Sequence, residues 1–226
     1  PQEHVLLVVF HHTVADGWAV GVFNRELGAL YGQIRIGHRP SLPEPPVQYA
    51  DFALWQQEWL AGEALARLAV PWREALANAP PTLDLPTDGP RPPNESWRGA
   101  REYGRIDGAL AAALLELGRA ERATLFMVLF ASLNALVSRY TGREDLVIGT
   151  PVANRTRAEL EGLIGCFVNT LALRTDLSGN PTFRQLLRRV RQTALDAYEH
   201  QDLPFEKLLE LVPQARQPDR TPLFQV

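Results

Sequence analysis

The most continuous apolar run opens the chain, Val5-Leu6-Leu7-Val8-Val9-Phe10, and the polar group His11-His12-Thr13 ends it, which predicts a fully buried strand. Beyond Asp16-Gly17 the period changes. Trp18, Val22, Leu27, Leu30 and Tyr31 recur at helical spacing, with Asp16 or Gly17 placed to cap the helix. A proline-rich connector, GHRPSLPEPPVQ, leads to the aromatic helix YADFALWQQEWL, and a second, PPTLDLPTDGPRPPNES, marks another surface crossing. WRGAREYGRI reads as a strand and DGALAAALLELGRAERA as a helix. Thr124 caps LFMVLFASLNALVSRY, which is apolar on nearly all faces and is expected to be buried. DLVIGTPV and CFVNTLALR read as strands around the loop ANRTRAELEGLIG. After Asn180-Pro181 comes an amphipathic helix carrying Phe183, Leu186, Leu187, Val190, Ala194, Ala197 and Tyr198 on one stripe, and Leu203-Pro204 opens a last short helix. Strands and helices mix without strict βαβ alternation, so the expected class is α/β, an open sheet with helices packed on it.

Composition narrows the partners. The chain has 226 residues, a net charge of −3 and 46% apolar residues, so it lacks the basic field that neutralises nucleic-acid phosphates. Nucleic acid is therefore not an expected partner. No apolar run is long enough to span a bilayer and no basic-then-apolar leader opens the chain, so the expected setting is cytoplasmic, without membrane attachment. The single cysteine, Cys166, has no internal disulfide partner and sits in an apolar stretch, which reads as an inert buried thiol. The chain starts at Pro1 and stops within an apolar run, and is expected to be a fragment of something longer.

The candidate chemistry lies in HHTVADG, residues 11–17. One reading makes Asp16 an N-cap, Gly17 a turn and the two histidines loop-edge residues. A metal site is a second reading. Adjacent residues at a strand end point to opposite faces, however, so His11 and His12 do not readily share one ion, and His4, His38 and His200 have no companion ligands; no metal is expected. In the third reading one histidine faces inward, the other serves as acid or base, and Asp16 shapes the loop beneath them. A buried Asp16 would then need a cationic partner. The chain has no G-x-S-x-G elbow, no phosphate loop and no dinucleotide turn, which favours a substrate that brings its own nucleophile and activated electrophile, such as acyl transfer from a thioester.

HHTVADGW resembles the HHxxxDG signature of nonribosomal peptide synthetase condensation domains, which belong to the chloramphenicol-acetyltransferase-like superfamily. Four more stretches follow in that family's order. Tyr49–Trp55 resembles YxDYAxW, and IGTPVANRTRAELEGLIGCFVNTLALR resembles the central motif, with Cys166 where the family usually has Phe. His200–Glu206 resembles HQDxPFE, and Arg220–Phe224 resembles RxPLF. The resemblance implies a two-lobed, V-shaped pseudo-dimer. Residues 1–37 would end the N-terminal lobe, 38–96 would hold connecting helices and proline-rich crossings, and 97–226 would form most of the C-terminal lobe.

It also implies a reaction. A donor aminoacyl or peptidyl thioester on the phosphopantetheine arm of a carrier domain is attacked by the α-amine of an acceptor aminoacyl thioester on a second carrier. His12 is the implied catalytic residue, as general base or as the group that positions the amine. His11 and Gly17 shape the loop, and Asp16 is structural, with Arg155 its implied partner. Trp18, Asn169 and Thr170 are candidate channel residues, while Tyr49 and Trp55 are expected to pack. Partners would be upstream and downstream peptidyl carrier domains and an adjacent adenylation domain, with no cofactor bound by this domain itself. Arg184, Arg188, Arg189 and Arg191 offer a conceivable docking face for acidic carriers, with a plain solvated face as the default. The alternatives are an epimerization domain, a stand-alone acyltransferase of the same superfamily, or a non-catalytic carrier-docking module. The central motif leans toward an L-configured donor.

Overall fold

A computed structural model describes residues 3–80, 82–89, 99–212 and 222–226. Seven α-helices, two strands and a short 3-10 helix (Ala158–Leu160) are formed among them: α1 (Gly17–Arg35), α2 (Tyr49–Trp59), α3 (Glu63–Ala75), α4 (Gly108–Ala120), α5 (Leu125–Thr141), β1 (Asp145–Val152), β2 (Asn169–Asp176), α6 (Phe183–Glu199) and α7 (Phe205–Leu211). The chain divides into two compact units, Pro1–Arg67 with Pro151–Asn169, and Leu68–Thr150 with Thr170–Val226.

Helix starts follow local chemistry. Asp16, Asp107, Thr124 and Thr182 cap α1, α4, α5 and α6, each accepting a backbone N–H three residues on. Helix α3 has no such signal and carries Pro71 in its interior. Proline there leaves the carbonyl of Arg67 without its usual donor. The helix is held instead by burial of Leu68, Ala69 and Trp72, and the Trp72 indole Nε1 donates to the His200 carbonyl at 3.0 Å.

In the second unit β1 and β2 form a two-stranded sheet. Leu177 N, just past the end of β2, donates to Glu144 O, just before β1, at 2.6 Å, so the strands run antiparallel. Both bury nearly consecutive positions, among them Leu146, Val147, Ile148, Leu171, Ala172 and Leu173, as fits strands covered on two faces. Helix α5 packs against α4 and α6, and Val128, Leu187 and Val190 are fully buried. The Phe224 ring fills the space where Gly149 would carry a Cβ, 2.2 Å from that position, and Gly149 N donates to Val226 O at 2.8 Å. Any side chain at 149 would displace this ring.

Four expectations fail. Residues 4–10 form no strand, and Val5, Leu7 and Val9 are almost fully exposed. A strand needs a backbone partner, and among the described residues nothing pairs with this run. The same holds for the described part of WRGAREYGRI, residues 99–106, where Tyr103 lies in solvent; Trp97 and Arg98 fall outside the described residues, as do most of the second proline-rich stretch and Arg220-Thr221. Helix α5 is only half-buried, since Leu125, Leu129, Leu136 and Tyr140 face outward. The strand expected from Cys166 begins at Asn169, because Gly165 and Phe167 are engaged in the loop described below.

The arginine row of α6 is occupied within its own unit. Arg184 and Arg188 both donate to the Glu121 carboxylate, at 2.6 and 2.8 Å, Arg191 donates to Arg122 O, and Arg189 donates to the carbonyls of Asp176 and Ser178. The hydrogen bonds from Arg188 and Arg184 hold the Glu121 carboxyl below its usual range.

Candidate active site

The first unit is built around Asp16 and Arg155. Asp16 leaves α1's first turn with its side chain folded back, so Oδ1 accepts from Ala19 N at 2.8 Å while Oδ2 accepts from Phe167 N at 2.9 Å. Arg155 Nη2 donates to Oδ1 at 3.3 Å, and both side chains are almost wholly removed from solvent. Burial pushes the Asp16 carboxyl up, but the two backbone donors and the guanidinium outweigh it and hold the group below its ordinary value. The cation that a buried Asp16 requires is therefore Arg155.

Arg155 also organises its own loop. Nη1 donates to the carbonyls of Leu160 and, at 2.8 Å, Leu163; Nη2 donates weakly to Gly165 O at 3.4 Å. An irregular loop exposes carbonyls that secondary structure would otherwise satisfy, and here a single guanidinium collects three of them. Its charge lies 4.2 Å over the Phe167 ring and 5.8 Å from that of Trp18. Leu160, Leu163 and Phe167 form a small core with Val47, Tyr49 and Phe52.

Tyr49 closes this core from α2. Its hydroxyl donates to Cys166 O at 2.9 Å, and its ring lies where Gly165 would carry a Cβ, 2.2 Å from that position. Only glycine fits at 165. Burial pushes the Tyr49 phenol up, with the nearby Cys166 and Asp16 adding to the shift, so it remains a neutral donor.

Upon this frame stands the His pair. A turn closes with Val14 N donating to His11 O at 3.0 Å, and Ala15 and Asp16 are buried behind it. His11 Nδ1 contacts Thr13 Oγ1 at 2.7 Å and accepts from Thr13 N at 3.2 Å, which fixes the ring on its own loop. His12 is exposed, and its Nδ1 lies 3.7 Å from Cys166 Sγ. Neither imidazole faces inward, unlike the alternation expected of a paired strand end, because residues 4–10 have no ladder to set it.

Placed residue by residue, His11, His12, Asp16, Gly17, Trp18 and Arg155 belong to one constellation in this unit. Trp18 is tied to it by its indole Nε1, which donates to Glu161 O at 2.9 Å. Asn169 and Thr170 open β2, the first buried and the second half-buried. Cys166 is a correction: its thiol is half-exposed beside His12 and is not enclosed in apolar surroundings. Tyr49 packs on the small core as expected, while Gly165 and the Phe167 amide are structural members that sequence reading did not assign. Among the described residues no three His, Cys, Asp or Glu side chains converge as a metal site. No single described helix is long and apolar enough to cross a membrane. In the second unit, a cavity of about 740 Å³ is lined by Trp72, Arg174, Arg189 and His200 among others. Its arginines are already paired, Arg174 with Asp145 and Arg189 with Asp176, and His200 Nδ1 is bonded to Asp196 O at 2.8 Å.

The first unit thus holds a histidine on a loop fixed by a buried carboxylate–guanidinium pair, and the mixed helices and small sheet of the chain are of α/β class. The Condensation domain family matches residues 1–226, and the chain belongs to that family. It is 52% and 50% identical, each over 225 residues, to two components of the linear gramicidin synthase of Brevibacillus parabrevis, the match spanning 100% of this chain and 4% of each relative. Among solved structures, the X-domain in its complex with OxyB from teicoplanin biosynthesis is 35% identical, with a TM-score of 0.86 over 95% of this chain and 48% of that one. A four-domain nonribosomal peptide synthetase bound to AMP and glycine is 27% identical, with a TM-score of 0.82 over 95% of this chain and 16% of that one. The chain thus spans a small part of the synthetases it matches and about half of the X-domain chain.

Proposed function

We propose that this chain is the His-motif and C-terminal-lobe portion of a condensation domain that joins two carrier-bound amino acids in nonribosomal peptide synthesis. The observation that carries the reading is the exposed His12 imidazole on a loop that Asp16 and Arg155 fix from below. Relatives about half identical to it are named as components of a gramicidin synthase, which supports the same substrate class.

In this reading the acceptor α-amine adds to the donor thioester carbonyl, the C–N bond forms, the C–S bond to phosphopantetheine breaks, and the amine proton passes to the leaving thiolate. His12 takes that proton in transit or holds the amine in its reactive orientation. His11 and Gly17 shape the loop; Asp16 and Arg155 keep it rigid; Trp18, Asn169 and Thr170 line the approach. The carriers bring phosphopantetheine as part of their substrates, and this domain binds no cofactor of its own. Peptidyl carrier and adenylation domains of one cytoplasmic synthetase are the partners. Residues 1–37 end one lobe, 38–96 connect, and 97–226 belong to the other.

A docking module without turnover is a second reading, favoured by the X-domain's recorded complex with OxyB. The test loads donor and acceptor carriers of the full-length protein as thioesters and weighs the acceptor carrier. A dipeptidyl mass that is lost in His12→Ala supports condensation. An unchanged acceptor mass with fully loaded carriers supports docking alone.

A further inference from the structure

Cys166 has no part in the reaction just described, yet its thiol stands beside His12. The thiol is the only one in the chain, is half-exposed, and lies 3.7 Å from an imidazole nitrogen, within hydrogen-bond reach for sulfur. Its backbone is fixed on both sides. Tyr49 holds the Cys166 carbonyl and covers Gly165, while the next residue, Phe167, donates its N–H to Asp16. The imidazole rides on the loop that the same Asp16 anchors. One carboxylate thus sets the register of both partners, although 154 positions separate them in the chain. A thiol with a base in reach, and a backbone that keeps the two together, is the arrangement of an activated nucleophile.

We propose that Cys166 and His12 form a nucleophile–base pair that accepts an acyl group from a pantetheine-type thioester. The inference deepens the condensation reading and rests on it for the substrate class. His12 Nδ1 takes the thiol proton, Sγ adds to the thioester carbonyl carbon, the C–S bond to the pantetheine sulfur breaks, and His12 returns the proton to that leaving thiolate. One C–S bond forms and one breaks, with no oxidant or energy source, because one thioester replaces another. The other ring nitrogen, Nε2, remains for an acceptor amine, whose attack on the Cys166 thioester would give the same amide and restore the thiol.

The experiment treats the full-length protein with an N-acetylaminoacyl thioester of N-acetylcysteamine, without acceptor, and weighs the tryptic peptide 158–174, which contains Cys166. The expected result is an acyl-sized mass increase that hydroxylamine removes, absent in Cys166→Ala, and formed about a hundredfold more slowly in His12→Ala, as for loss of a general base. An unmodified peptide whose thiol iodoacetamide still alkylates would overturn the proposal, as would equal acylation rates with and without His12. Carrier-loaded condensation is scored separately on the same protein. Dipeptide without acyl-Cys166 rejects this inference alone, whereas acyl-Cys166 without dipeptide keeps it and rejects condensation.

Discussion

Replacing Asp16 by alanine removes three things at once: the N-cap to Ala19, the acceptor for Phe167 N, and the partner of a guanidinium whose side chain is about 1% exposed. A lost cap alone costs about 1 kcal/mol. Stripping one member from a buried ion pair costs about 3–5 kcal/mol, because the other charge stays buried without compensation. The carbonyls of Leu160, Leu163 and Gly165 and the Phe167 ring still solvate Arg155, so the whole effect of Asp16→Ala should fall within that range and not exceed it. Asp16→Asn keeps an oxygen for Ala19 and should lose about 1 kcal/mol less. Guanidinium unfolding followed by tryptophan fluorescence gives the stability, and amide exchange at Ala19 and Phe167 locates it. Adding Arg155→Met to Asp16→Ala should recover part of the loss, with a coupling of about 1–3 kcal/mol. A loss in Asp16→Ala below about 1 kcal/mol, or strict additivity with Arg155→Met, would refute the account of this pair as the frame of the His loop.

Acid should reveal the same group. The Asp16 carboxyl titrates lower in the folded chain than its ordinary 3.8, so its contribution is complete above that value and is lost as the pH falls below it; in Asp16→Asn this part of the acid-unfolding profile should flatten. Gly165→Ala sets a methyl against the Tyr49 ring and should cost about 1–3 kcal/mol by overpacking, relieved in part by Tyr49→Ala, read from paired melts. Tyr49→Phe removes only the bond to Cys166 O and should cost about 1 kcal/mol. Glu121→Gln should free the guanidinium groups of Arg184 and Arg188, with an effect on thermal stability that disappears in high salt; a loss that salt does not alter would rule out the electrostatic account.

Local chemistry was readable where it acts over a few residues. Asp16, Asp107, Thr124 and Thr182 announce their helices because a cap is satisfied three residues away, and β1 is legible because its apolar run is short and bounded. The partnership of Asp16 with Arg155 was legible for a different reason: a buried carboxylate demands a cation, and the motif order suggested which one. Helix α3 escaped notice since Pro71 breaks its pattern and its support comes from Trp72 reaching the His200 carbonyl, 128 positions on. The apolar run at residues 5–10 carries the composition of a strand, yet a strand is a property of two segments, and no described segment pairs with it. Cys166 was misplaced for the same kind of reason. Its sequence neighbours are apolar, but its spatial neighbour is His12.

The bare run from Val5 to Val9 has a practical side. Its β-branched and leucine side chains stand in solvent, with Val5 98% exposed, and no described strand pairs with its backbone. Such a ribbon is a template on which a second copy can crystallise its own ribbon, so the chain handled alone should lose solubility steeply with concentration. A lysine at Leu7, where a charge would have to be buried between stacked ribbons, should raise that solubility ceiling without touching the His loop. Light scattering against concentration reports the difference, and purification of this chain will depend on it before any assay of its chemistry does.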